Sequence, residues 1–204
     1  MHSCAHSRSD VVSTMRGTRG SRQEETMKRT FYCIAIVALA TATTVSAGEL
    51  TATKVFENLK ALDGAWVGTA AGSGNPEAEA GSGMAVRHEF RVSAAGTMVM
   101  ETMDPGGDHE MINAYHLDGD DLVMTHYCAG GNQPTMKVKL DESSLDHVMF
   151  EFTGGTNMDA EVDQHIHDAS IRWNEDGSLV SSWRAFAGGE EAGTMVFNLQ
   201  RETS

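Results

Sequence analysis

From residue 64 onward, apolar and polar side chains alternate in short runs, and Gly, Asp and Asn interrupt the runs. Such alternation puts successive side chains on opposite faces of a strand, and turn residues at intervals of roughly 8 to 12 mark a sandwich or barrel. The runs predict ten strands: Ala65 to Ala70, Met84 to Val92, Thr97 to Met103, Glu110 to Leu117, Leu122 to Tyr127, Met136 to Leu140, His147 to Phe152, His165 to Trp173, Leu179 to Phe186 and Thr194 to Arg201. Ala94-Ala95-Gly96, Asp118-Gly119-Asp120 and Glu175-Asp176-Gly177 are tight-turn chemistry, so consecutive strands are expected to pair antiparallel. Val55, Leu59 and Leu62, at helical spacing within Leu50 to Leu62, predict one short helix ahead of the strands. A meander of this length exposes edges unless it closes. The expected fold is all-β: a closed, antiparallel, up-and-down β-barrel of about 8–10 strands with a short N-terminal helix.

The N-terminal part has a different pattern. Met27-Lys28-Arg29 leads into the apolar run Phe31 to Ala42, and Val45-Ser46-Ala47 follows as a small-residue cleavage pattern. Residues 27–47 therefore read as a signal peptide cut after Ala47, with the mature protein periplasmic or secreted. The apolar run falls short of the roughly 20 residues that span a bilayer, so no stable membrane insertion is expected. Residues 1–26 lack hydrophobic periodicity and precede a signal with its own Met; they read as a non-native extension. Residues 48–204 then form one domain, and 157 residues suffice for a single core. Cys128 is the one cysteine of that part, so no disulfide within it is expected and the core must supply stability.

The chain carries a formal charge of −14, and residues 1–47 hold six basic and three acidic residues, which leaves −17 on the remainder. Such a surface argues against nucleic acid and anionic membrane as partners, and serves solubility.

The more apolar parity of each strand marks the barrel interior. On Met84 to Val92 that parity contains His88; on Leu122 to Cys128 it contains His126 and Cys128; on His165 to Trp173 it contains His165 and His167. Trp183 shares its parity with Leu179 and Ala185, while Met195, Phe197 and Leu199 line the last strand. Inward imidazoles without partners cost about 1–3 kcal/mol each, so four of them require hydrogen bonds, water, a metal or a ligand. Three readings stay open. The histidines form a hydrogen-bonded core network; or they are the polar end of a small-molecule pocket. Alternatively His126, Cys128, His165 and His167 form a metal site suited by ligand type to zinc or copper, or one histidine holds a haem. Asn132 and Gln133, in the loop from His126 to Pro134, could fix a polar ligand group at the barrel mouth, or simply turn the chain.

Familiar catalytic signatures are missing. His109-Glu110-Met111-Ile112-Asn113 ends in Asn where a zinc protease helix needs a second His, and the chain has no nucleophile elbow or phosphate loop. His165-Ile166-His167 lacks the later Glu of a cupin, since Ile171 and Arg172 stand there. An enzyme remains the alternative to a binding protein, with His88 or His116 as its base.

Asp63-Gly64-Ala65-Trp66, opening the first strand after a short helix, resembles the Gly-x-Trp start of lipocalin and calycin barrels, in which an Arg near the end of the last strand packs across the Trp; Arg201 matches that position. The segments His126 to Pro134 and Gly154 to His167 resemble uncharacterised bacterial exported proteins with lipocalin-like domains, over most of residues 55–201. The resemblance implies a calycin-like barrel that binds a small, often apolar molecule. Related ten-stranded barrels hold haem through one His, but this chain lacks their glycine-rich signature.

Overall fold

The computed structural model describes residues 49–72 and 83–203. The expectations for residues 1–47 lie outside the described residues.

The described residues form one α-helix and ten strands, α1 (Ala52–Lys60), β1 (Gly64–Gly72), β2 (Met84–Ser93), β3 (Met98–Met103), β4 (Met111–Asp118), β5 (Asp121–Tyr127), β6 (Gln133–Val138), β7 (His147–Thr156), β8 (His165–Trp173), β9 (Leu179–Ala187) and β10 (Glu190–Arg201). Every strand pairs antiparallel with its sequence neighbours, and β1 pairs with β10, so the sheet closes on itself. The expected architecture is therefore the observed one. Closure depends locally on Gly68: a Cβ there would lie 1.8 Å from the Asn198 carbonyl oxygen of β10, so only glycine permits this approach of first and last strands. The β4–β5 turn needs φ of +60° at Gly119, a conformation glycine adopts without steric cost. Pairing is shortest between β5 and β6, from Val123↔Lys137 to Thr125↔Thr135.

Helix α1 starts at Thr51, whose hydroxyl accepts from the Lys54 amide at 3.3 Å, and buries Val55, Phe56 and Leu59 toward the barrel beside β4 and β5. Each such side chain contributes roughly 1.5–3 kcal/mol on burial. Asn58 ties the helix to the β6–β7 connection through the Leu145 carbonyl at 3.0 Å. The Gly-x-Trp segment is fastened to this end: Trp66 Nε1 donates to the Leu62 carbonyl at 2.8 Å, and Arg201 lies 4.7 Å over the indole ring. Arg201 also donates to the Ala61 and Asp63 carbonyls at 2.8 and 2.7 Å, and so joins the last strand to the helix end. The expected packing of Arg201 across Trp66 is present.

The interior has two parts. Near the helix, Val99, Tyr115, Leu122, Met124, Met136, Val148, Phe150, Ile171, Leu179 and Leu199 are all buried and fill the barrel. Toward the other end the filling stops, and a layer of buried polar side chains forms the boundary.

Candidate functional site

Strand register builds that layer. Glu101 of β3 stands opposite Asn113 of β4, and Asn113 stands opposite His126 of β5, so three polar side chains point inward side by side from consecutive strands. His88 of β2 joins them diagonally, two residues along from Phe90, which pairs with Glu101. All four residues are 1% exposed or less.

The bonds run in a chain. Glu101 Oε1 lies 2.8 Å from His88 Nδ1; its Oε2 accepts from Asn113 Nδ2 at 2.8 Å and from the Tyr115 hydroxyl at 2.7 Å. Asn113 Oδ1 lies 2.7 Å from His126 Nδ1. Burial alone pushes the Glu101 carboxyl up, but the hydrogen bond and charge of His88 and the donors Tyr115 and Asn113 together hold it below its ordinary value. The carboxylate is therefore the acceptor at the centre of the network. Tyr115, raised well above the usual phenol range by burial and by the Glu101 charge, keeps its proton and donates it.

This fixes the state of His126. A carboxylate only accepts, so Asn113 must turn its NH₂ to Glu101 and its carbonyl oxygen to His126. His126 Nδ1 then carries the hydrogen, and Nε2 carries the lone pair. Burial pushes the imidazole down to about 4, against the opposing pull of Glu101, so the ring is neutral at ordinary pH. His126 Nε2 is buried and has no partner among the described residues.

Beyond the layer, at the end away from α1, lies a cavity of about 370 Å³. His88 and His126 form its polar boundary; Val86, Met103, Met111, Ile166, Trp183 and Phe197 are among its apolar walls; and Asp104, His109 and Cys128 also reach it. Trp183 packs its ring 5.5 Å from that of His126 and donates Nε1 to the Ser181 hydroxyl at 3.2 Å. The Phe197 ring lies 4.9 Å from His88.

Of the candidates from sequence, His88, His126, Cys128 and Trp183 meet at this cavity. Asn132 and His165 line an adjoining depression that shares Met111, Cys128 and Ile166 with it. Asn132 Nδ2 donates to the Gln164 carbonyl at 2.8 Å, while its Oδ1 is buried with no partner among the described residues. Gln133 braces its own loop, donating to the Gly131 carbonyl at 2.8 Å and accepting from Thr156 at 2.9 Å.

The expected inward pair His165 and His167 is met only in part, for His165 is buried, at 2% exposure, whereas His167 is half-buried. The β8–β9 register shifts between Ile166 and Asp168, leaving His167 as an extra residue of a bulge, and a bulge reverses strand parity. Ile166 consequently lines the cavity, His165 lines the adjoining depression, and His167 lines neither. The two histidines contact each other, Nε2 to Nδ1, at 3.2 Å, and pack against Phe152; His167 also stacks on Phe186 at 4.1 Å. His167 opens instead to a surface recess with Asp168 and Arg184, which pair through Arg184 Nε at 2.8 Å. His116 is exposed and points away from the interior, so it is no base for cavity chemistry.

The metal set falls with the parity of β8. Among the described residues no group of three or more His, Cys, Asp and Glu side chains converges as metal ligands, and His126 and Cys128 are not joined by His165 and His167. Zinc or copper therefore does not fit the four residues. Haem needs a broad open face beside one imidazole, and His126 Nε2 is closed in, with the Trp183 ring alongside.

Glu101, Asn113 and Tyr115 were not among the sequence candidates, although a signal for them exists. Glu101 shares its parity with Val99 and Met103, and Asn113 and Tyr115 share theirs with Leu117. A carboxylate and an amide on inward parities of adjacent strands mark a polar layer as well as imidazoles do.

No protein-family model matches the chain, and no curated protein matches it.

Proposed function

We propose that the protein is an exported, lipocalin-like binding protein that carries a small, largely apolar molecule in the hollow half of its barrel. The observation behind this reading is the cavity itself: about 370 Å³ bounded mainly by Met, Val, Ile, Trp and Phe, ending on a polar layer whose outermost group lacks a partner among the described residues. Pockets of a few hundred Å³ with apolar walls and few polar groups suit small organic ligands. His88, His126, Cys128 and Trp183 are the proposed contact residues, with Asn132 and His165 at the adjoining depression. Export rests on the signal-peptide pattern of residues 27–47, and a periplasmic or secreted location follows from it.

Native mass spectrometry of the protein recovered from its export pathway tests both parts. The expected result is a chain beginning at Gly48 together with a bound organic mass of a few hundred daltons. A chain that retains residues 27–47 refutes export; a bare polypeptide that takes up no apolar probe refutes the carrier reading.

A further inference from the structure

The polar layer constrains what the cavity accepts. The Glu101 carboxylate orients the Asn113 amide, the amide places the hydrogen on His126 Nδ1, and the remaining ring nitrogen is left as a buried acceptor with no donor among the described residues. Trp183, the nearest indole, does not supply one, because its Nε1 donates to Ser181. The cavity boundary offers an anion little: Asp104 reaches the wall, the His88 imidazole is already engaged by Glu101, and no Lys or Arg is among the described lining residues. A carboxylate or phosphate head group would meet the His126 lone pair and Asp104, with no Lys or Arg to pair it and with His88 already bonded to Glu101.

Resting on the binding reading above, we infer that the ligand is an uncharged apolar molecule bearing a hydroxyl or N–H group, which donates to His126 Nε2, and not a fatty-acid-like anion. An unpaired buried acceptor carries a desolvation cost, which a donating ligand recovers and a pure hydrocarbon does not. Nε2 is shielded by the surrounding side chains, so the donor must displace part of the wall. Met103 and Met111 make that wall adaptable, since unbranched methionine side chains repack readily.

Three naphthalenes of similar size separate the terms: 1-naphthol (a donor), 1-methylnaphthalene (no donor) and 1-naphthoate (an anion), each measured against the purified protein by equilibrium dialysis. Naphthol is expected to bind roughly ten-fold tighter than either of the others, the ratio that about 1.4 kcal/mol gives. In His126→Phe, naphthol and methylnaphthalene should bind alike. Long-range ¹H–¹⁵N NMR of the unaltered protein gives a readout independent of any variant, with His126 protonated on Nδ1 and bare on Nε2. Equal binding of naphthol and methylnaphthalene, preferred naphthoate, or a hydrogen on Nε2 would overturn the inference while leaving the binding reading in place. Binding of none of the three would overturn both.

Discussion

The two halves of the barrel interior are built by the same strands but hold different contents. Near α1, neighbouring strands contribute Val99, Tyr115, Met124 and Met136 at successive paired positions, and Phe150 and Ile171 fill the space across from them. Two residues along the same strands, the paired positions are Glu101, Asn113 and His126, and the filling ends. The difference shows how a closed sheet divides labour along its axis: helix and apolar layers supply stability at one end, which leaves the other end free to remain hollow. The polar row between them is tolerated because almost every atom in it is paired, whereas a half-satisfied row would be worse than an apolar one.

That division can be tested by treating the halves unequally. Phe150→Ala, in the filled half, should cost about 3–5 kcal/mol in urea unfolding, while Met195→Ala, at the partly exposed rim of the cavity, should cost under about 1 kcal/mol. Comparable losses would erase the distinction between the halves.

The boundary layer should make stability depend on pH. His126 has an unfolded value of 6.5 and a folded value of about 4, so between these the unfolded chain binds more protons. The stability this provides is fully present above 6.5 and is lost as pH falls toward 4, by about 3 kcal/mol in all. Glu101, held below 4.5 in the fold, adds a further loss under that value. His147 and His167 are also lowered, chiefly by burial, and bend the curve in the same direction. The difference between the unaltered protein and His126→Phe isolates the His126 part; a difference that does not vary between pH 7 and 4 would mean that the ring is not buried neutral.

Glu101→Gln keeps the shape but removes the charge and replaces one accepting oxygen with an NH₂ group, so His88 must either accept from it through a bare Nδ1 or face it donor to donor. The expected loss is about 2–3 kcal/mol, and the His126 tautomer should no longer be fixed. An unchanged midpoint and tautomer would show that the row is not governed from Glu101. The smallest change in stability is expected from Val86→Phe, which fills hollow space. It should alter stability by less than about 1 kcal/mol and abolish uptake of 1-methylnaphthalene.

The strand plan was legible in the sequence because alternation and turn residues are local signals. Gly119 and Gly177, with φ of +60° and +82°, stand where their turns were read. Trp66 and Arg201 were legible through resemblance. The site was legible only in part, for two reasons. The bulge at His167 follows from how β8 and β9 twist and pair, and a parity count that runs straight through it places His165 and His167 together on the cavity wall, where Ile166 stands instead. The Glu101 row depends on register across three strands, which turn chemistry sets only indirectly. Alternation on a single strand shows that Glu101 is odd company for Val99 and Met103. It does not show that Asn113 and His126 will stand beside it.

A ring of strands has no frayed margin to offer another chain, and so resists the edge-to-edge recruitment that begins many fibres. It does have a weakest join. Three paired positions hold β5 to β6, fewer than the neighbouring β4–β5 and β6–β7 seams have, and Thr125↔Thr135 is the last before β5 reaches His126. Thermal breathing of the ring should begin at that join, so the stretch that gives way most easily adjoins the residue on which a guest would settle.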